Sequence, residues 1–398
     1  MHKIIVCIAD GAADAPSLCP EGTPLERANT PVLDIMTRHS VAGLCYTIPV
    51  GFSPDSDVGN MSLLGYNPTI YHQGRAPIEA QALGISACSD DLIWRVTLCC
   101  TENDLITTPC ASSITSEEAQ NIVAALNNAF AHHGNITVVA NKSYRLLLLQ
   151  KDGHAQLKAH NEILRNKKLP ELQTCGPHML QQTPLQAQVA QYPEQLQQVI
   201  KTAPKVLSQC TDKTNCMWLW GQGSPYSLPN FPDKHGTNGC IISGTPLLHG
   251  LGHMAGLDVI KDTSFTGLPD TDLAKKAYAA ISYLQAPENT IAFIHVDAPD
   301  HYGHIGDAKG KRSAIERIDA ELLPVLLREM PEACIAVTAD HLTPATTKAH
   351  AQGAVPFIAY HPTLPKQTTV RRFTELECKK GVHLAEDTLL LNVLKTLR

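Results

Sequence analysis

Ile4-Ile5-Val6-Cys7-Ile8 runs straight into Ala9-Asp10-Gly11, and two later stretches repeat that design. Ile291–Val296 ends in Asp297-Ala298-Pro299-Asp300, and Cys334–Val337 ends in Thr338-Ala339-Asp340-His341. Unbroken apolar runs rich in β-branched residues are the pattern of parallel strands buried on both faces. Each run delivers carboxylates or imidazoles just past its C-terminal end, the edge at which open α/β sheets bind ligands. Val355-Pro356-Phe357-Ile358-Ala359-Tyr360 reads as a further strand, with Pro356 near its start, where a missing N–H is tolerated.

Helical patterns alternate with these runs. Thr30-Pro31 opens one helix, with proline at the first helical position and Val32, Leu33, Ile35 and Met36 as its apolar face. Ser313–Met330 repeats Ile315, Ile318, Leu322, Leu323 and Leu326 at helical spacing, with a kink expected at Pro324. Asp387–Leu397 is apolar enough to pack on the sheet. Strand–helix alternation at the beginning and over the last ~150 residues is the signature of a doubly wound α/β sheet.

The middle differs. Thr115-Ser116-Glu117-Glu118 is a capping box that opens a helix through Phe130, while Ile136–Val139 and Tyr144–Leu149 read as a strand pair. Gln181 to Gln198 is rich in glutamine, a linker followed by an amphipathic helix carrying Leu185, Val189, Leu196 and Val199. Since the two ends must share one sheet edge, the middle reads as an inserted, smaller α+β domain over 87–235. The core is then divided between 1–86 and 236–398. A chain of 398 residues has room for two to three such units at ~150 residues each.

Composition excludes several classes. Apolar residues at 43% and charged residues at 18% are ordinary for a globular protein and incompatible with disorder. No apolar stretch approaches the ~20 residues of a membrane helix, and the first residues lack a signal-peptide pattern. A formal charge of −6 supplies no basic face for nucleic acid. Thirteen cysteines, an odd number with no Cys-x-x-Cys pair, favour reduced structural thiols. The expected setting is cytoplasmic.

Asp300-His301-Tyr302-Gly303-His304, Asp340-His341 and His350 are each weak signals alone. Their weight lies in convergence at one predicted sheet edge beside Asp10. Carboxylates and neutral imidazoles suit Mn²⁺ or Zn²⁺, and the set is large enough for two ions. Pro54-Asp55-Ser56-Asp57-Val58-Gly59-Asn60 suits a turn, with a helix from Val58 to Leu64. Ser56 is there either a helix N-cap or, beside divalent cations, a nucleophile toward phosphorus.

Asp10-Gly11, Asp14, Thr23-Pro24-Leu25-Glu26, Ala28-Asn29-Thr30-Pro31, Ser56 through Pro68, Gly74-Arg75 with Glu79-Ala80, Asp300 to His304, Asp340-His341 and His350 together resemble the archaeal-type cofactor-independent phosphoglycerate mutases. These belong to the alkaline phosphatase superfamily, and the resemblance runs in order from residue 3 to about residue 393. It implies an alkaline-phosphatase-like metal-binding core interrupted by a smaller substrate-handling lid domain. It implies Ser56 as the residue that becomes phosphoserine. One metal would be held by Asp10, Ser56, Asp340 and His341, the other by Asp300, His304 and His350. Arg75 resembles an arginine gripping substrate phosphate or carboxylate, and Arg95, Arg145 and Lys276 resemble further basic positions. Two residues depart from the pattern: Asn60 where the family often has histidine, and Ser113 near a usual histidine or arginine. The expected metal set is intact and the expected substrate set altered.

The implied function is a metal-dependent isomerase interconverting 3-phosphoglycerate and 2-phosphoglycerate, with two divalent ions and no 2,3-bisphosphoglycerate. The second reading keeps the metals and changes the acceptor, as in a homoserine kinase, a branch that also has asparagine at the Asn60 position. No Gly-x-x-x-x-Gly-Lys-Ser/Thr loop is present for ordinary ATP use. The third, a non-catalytic phosphatase-fold module, would be marked by lost metal ligands, and none is missing.

Overall fold

The computed structural model describes residues 2–168, 171–172, 174–180, 184–385 and 388–397. The chain divides into two compact units, Met1–His72 with Leu228–Arg398, and Gln73–Ser227, against joints expected at 86/87 and 235/236. The strands are β1 (Ile4–Ala9), β2 (Ser40–Cys45), β3 (Leu92–Glu102), β4 (Leu105–Thr108), β5 (Ile136–Lys142), β6 (Arg145–Gln150), β7 (Cys216–Gly223), β8 (Asn238–Ile242), β9 (Asp258–Ile260), β10 (Asn289–Val296), β11 (Cys334–Thr338), β12 (Val355–Tyr360) and β13 (Val382–His383).

In the first unit an eight-stranded sheet runs in the order β13-β2-β12-β11-β1-β10-β8-β9. Neighbouring strands pair in parallel except at β12, which lies antiparallel to both β11 and β2. All six residues of β1 and all five of β11 are buried, which explains why these segments carry no alternation of polar and apolar side chains. Helices cover the sheet: Leu273–Leu284, for example, packs on β10, burying Leu273, Ala277, Ala280 and Leu284.

The helix expected over Ser313–Met330 is three pieces: an α-helix Ala308–Arg317, a π turn Ile318–Leu322, and an α-helix Leu323–Glu329. Pro324 has no N–H to give the carbonyl one turn back, and the wider turn before it absorbs that defect without a break. At the C-terminus the helix is Leu390–Leu394, shorter than the expected Asp387–Leu397, and Asp387 itself lies outside the described residues.

The second unit is built on an antiparallel sheet in which β3 pairs with β4, β6 and β7, and β6 with β5. Thr115 and Glu118 exchange both hydrogen bonds of a capping box at the start of helix Ser116–Phe130. The glutamine-rich stretch forms helices Leu185–Val189 and Glu194–Cys210, which bury Leu185, Val189, Leu196 and Val199; Gln181-Gln182-Thr183 lie outside the described residues. Trp94, Phe130, Tyr192 and Trp218 form the centre of this unit's own core. Its two ends lie side by side, since a Cβ on Gly74 would come 2.2 Å from the carbonyl oxygen of Gln222. Gly74 also takes φ 115°, which only glycine adopts readily. Among the described residues no helix is long and apolar enough to cross a membrane.

Candidate active site

The first unit gathers its chemistry at the C-terminal edge of the parallel strands. Asp10 follows β1, where its N–H still bonds to Val296 O at 3.0 Å, and Asp340-His341 follow β11. Asp300 and His304 lie one turn apart on helix Ala298–Ile305, which follows β10. His350 precedes β12. Because β12 is antiparallel, its beginning lies beside the ends of its neighbours, with Phe357 opposite Thr338. A parallel β12 would have put His350 at the opposite edge.

The helix after β2 is Ser56–Leu63, longer at its start than the expected Val58 to Leu64. Its N-cap is Asp55, so Ser56 is the first helical residue and caps nothing. The Ser56 hydroxyl instead lies 3.0 Å from His341 Nε2. The same nitrogen is 3.4 Å from Asp10 Oδ1 and 3.4 Å from Asp340 Oδ2. Asp10, Ser56, Asp340 and His341 thus point donor atoms at one buried spot. The tautomer of His341 follows from its other side. Nδ1 lies 3.0 Å from Thr343 Oγ1, and that hydroxyl donates to Asp300 Oδ1 at 2.7 Å. Thr343 has one proton, so it accepts from His341 Nδ1–H, leaving a lone pair on Nε2 to accept from Ser56. Burial pushes the His341 imidazole down to about 4, consistent with a neutral ring.

Asp300, His304 and His350 form a second convergence. Asp300 Oδ2 is 3.3 Å from His304 Nε2, Asp300 Oδ1 is 3.4 Å from His350 Nε2, and the two Nε2 atoms are 2.9 Å apart. The outer nitrogens are tethered: His304 Nδ1 to Lys348 O at 3.0 Å, and His350 Nδ1 to Asp55 Oδ1 at 3.4 Å. Backing each ring on its far nitrogen while the near one faces a shared point is how imidazole ligands are oriented.

These donor sets suit divalent cations. Burial, then the neighbouring Asp340 and Asp300 carboxylates, push Asp10 well above the usual carboxylate range. Its Oδ1 is buried without a hydrogen bond among the described residues. A divalent cation would remove the repulsion and supply that oxygen's missing partner. Carboxylate, imidazole and hydroxyl donors are those of Zn²⁺ and Mn²⁺ chemistry.

Asn60 sits one helical turn beyond Ser56 and faces the acidic set. Its Nδ2 donates to Ser56 O at 2.9 Å and to Asp340 Oδ2 at 2.7 Å. It was expected among altered substrate contacts; the structure puts its amide against a carboxylate of the candidate metal centre. Ser113 is exposed, and its carbonyl accepts from Lys213 Nζ at 3.2 Å.

Of the four basic positions, three come together. In the second unit Arg75 Nε and Arg95 Nε each lie 3.1 Å from Glu79 Oε1, and both guanidiniums stack on Trp220. Burial opposes the Glu79 charge, but Arg95, Arg75 and Arg145 outweigh it and hold that carboxyl low. Lys276 does not join them. It is buried in the first unit with Nζ 2.6 Å from His295 O.

His295 escaped the sequence reading. Its Nε2 is 3.2 Å from Asp10 Oδ2 and its Nδ1 is 3.3 Å from Asp297 Oδ2. Burial opposes a charge here, yet Asp297 and Asp10 push the imidazole up to about 10, which favours the protonated ring between the two carboxyl groups. The available signal was position: His295 is the last residue but one of β10 and Asp297 lies just past its end, but the apolar run around His295 hid it.

Buried carboxylates and imidazoles converging at the C-terminal edge of an α/β sheet define a metalloenzyme, and residues 2–388 match the Metalloenzyme superfamily. A 2,3-bisphosphoglycerate-independent phosphoglycerate mutase of Methanosarcina barkeri is 34% identical over 95% of both chains. The chain belongs to the family of 2,3-bisphosphoglycerate-independent phosphoglycerate mutases, a family of isomerases. The fold is shared with the PH0037 protein of Pyrococcus horikoshii, with TM-score 0.73 and 24% identity over 96% of this chain and 92% of that one. It is shared also with the cofactor-independent phosphoglycerate mutase of Thermoplasma acidophilum, with TM-score 0.57 and 20% identity over 99% of this chain and 100% of that one.

Proposed function

We propose that this protein interconverts 3-phosphoglycerate and 2-phosphoglycerate through a phosphoserine at Ser56, using two divalent cations, Mn²⁺ or Zn²⁺, and no 2,3-bisphosphoglycerate. The observation that carries the reading is the Ser56 hydroxyl, 3.0 Å from the Nε2 lone pair of His341, beside Asp10 and Asp340. Cations held by Asp10, Ser56, Asp340 and His341, and by Asp300, His304 and His350, would supply Lewis acidity that favours serine ionisation and offsets phosphate charge.

Ser56 loses its proton as its oxygen bonds phosphorus, and the 3-oxygen of glycerate leaves with a proton. After glycerate turns, its 2-hydroxyl gives up its proton as its oxygen bonds phosphorus, the Ser56 O–P bond breaks, and the Ser56 oxygen takes up a proton. The guanidiniums of Arg75, Arg95 and Arg145 have the planar fork that holds carboxylate or phosphate, and we assign them to substrate binding. Asn60, by donating to Asp340, supports the metal side of the reading.

The test supplies phosphorus-labelled 3-phosphoglycerate to chelated and Mn²⁺-restored protein. Labelled 2-phosphoglycerate with little free phosphate is expected, and only after metal is restored. Full activity of exhaustively chelated protein would remove the metal requirement. Labelled free phosphate without 2-phosphoglycerate would make this a phosphatase, and label on added homoserine would make it a kinase.

A further inference from the structure

Thr343 belongs to neither donor set, yet its hydroxyl touches both. Oγ1 accepts from His341 Nδ1 at 3.0 Å and donates to Asp300 Oδ1 at 2.7 Å. The side chain is fully buried and fixed on every side. Its N–H bonds to Ala13 O at 3.0 Å, its carbonyl accepts from Lys311 Nζ at 2.8 Å, and its methyl group lies over Gly303. Gly11 passes so close that a Cβ there would come 2.5 Å from Oγ1 and 2.6 Å from Asp300 Oδ1. The backbone of Gly11, at φ 57°, is what makes room for this contact.

A hydroxyl has one proton to give, so the chain His341 Nδ1–H to Oγ–H to Asp300 has one direction. Reversed, it would need a proton on His341 Nε2, the nitrogen that faces Asp10, Asp340 and Ser56. We infer that Thr343 is a positioning residue shared by the two candidate cation sites: its one hydroxyl holds His341 as the Nδ1–H tautomer, which keeps the Nε2 lone pair for one site, and holds Asp300 in place for the other. The inference rests on the two-ion reading above.

The test is a titration of the chelated, full-length protein with Mn²⁺ alone, following free Mn²⁺ by its magnetic resonance signal, without substrate. Wild type is expected to bind two ions per chain. Thr343→Val keeps the methyl packing and removes the hydroxyl; it should bind both ions on the order of tenfold more weakly. Thr343→Ser should restore both. Thr343→Ala is the second hydroxyl-free variant should valine not fold, and the melting temperature of each metal-free protein separates loss of ligand positioning from loss of fold. Two ions in wild type with an unchanged isotherm in the hydroxyl-free variants overturns the inference and leaves the two-ion reading standing. Failure of serine to restore the affinity also overturns it. Fewer than two ions in wild type overturns both.

Discussion

At the residue scale the decisive fact about Ser56 is what its hydroxyl does not do. It occupies the first helical position, not the cap, so its removal leaves no helix N–H newly unsatisfied. Ser56→Ala is therefore expected to lower turnover on the order of a thousandfold or more. Its stability cost should stay below the ~1 kcal/mol that loss of a capping residue brings. Steady-state rates and melting curves on the same preparation check this, and near-wild-type turnover would return Ser56 to a structural role. Ser56, Asp10, Asp340 and His350 were legible as candidates because their types and strand-end positions are visible in the chain. Thr343 and His295 were not: a threonine after Asp-His and a histidine inside an apolar run acquire meaning only from the atoms across from them.

At the element scale, short segments far apart in the chain brace the strand-end loops. Glu375 opens the helix Glu375–Cys378 and reaches the loop after β1, accepting from Asp14 N at 2.8 Å and from Thr23 Oγ1 at 2.7 Å. Burial pushes this carboxyl up to about 7, Asp14 adding to the rise while the two hydrogen bonds work against it. The folded protein then holds a proton that the unfolded chain, with an ordinary glutamate near ~4.3, has released. Between those values the native state binds more protons than the unfolded one, so this group's contribution falls as pH rises through the window and is flat above it. Glu375→Gln, which carries no charge at any pH, should show a smaller drop in melting temperature than wild type from pH ~4.5 to about 7. Parallel slopes for the two proteins would show that Glu375 is ionised throughout. A four-residue helix of this kind was invisible to periodicity, whereas Pro31–Arg38 and Ser116–Phe130 carried proline or capping-box signals.

At the scale of the whole molecule, the sheet of the first unit takes strands from both ends of the sequence, while the second unit is continuous. Gln73–Ser227 has its own buried core, and its ends lie together where Gly74 meets Gln222. Expressed alone, residues 73–227 are expected to fold and to unfold in one cooperative thermal transition, because loss of the flanking chain removes none of this unit's sheet partners. A broad, non-cooperative melt would show that this unit depends on the rest of the chain.

The amino-acid sequence by itself determined the strand-end carboxylates, the buried β1 and β11, and the alternation that makes an α/β sheet. These follow from local polarity and period, which need no partner. It did not determine the direction of β12: an apolar run reads alike whichever way the strand lies, and hydrogen bonding to β11 and β2 decides it. That direction carries His350 to the edge where Asp300 and His304 stand. The tautomer of His341, the raised proton affinity of His295 and the bond from Thr343 to Asp300 were likewise decided only by tertiary structure. Each is a property of two or three side chains brought within about 3 Å in a space closed to water, and nothing along the chain encodes that distance.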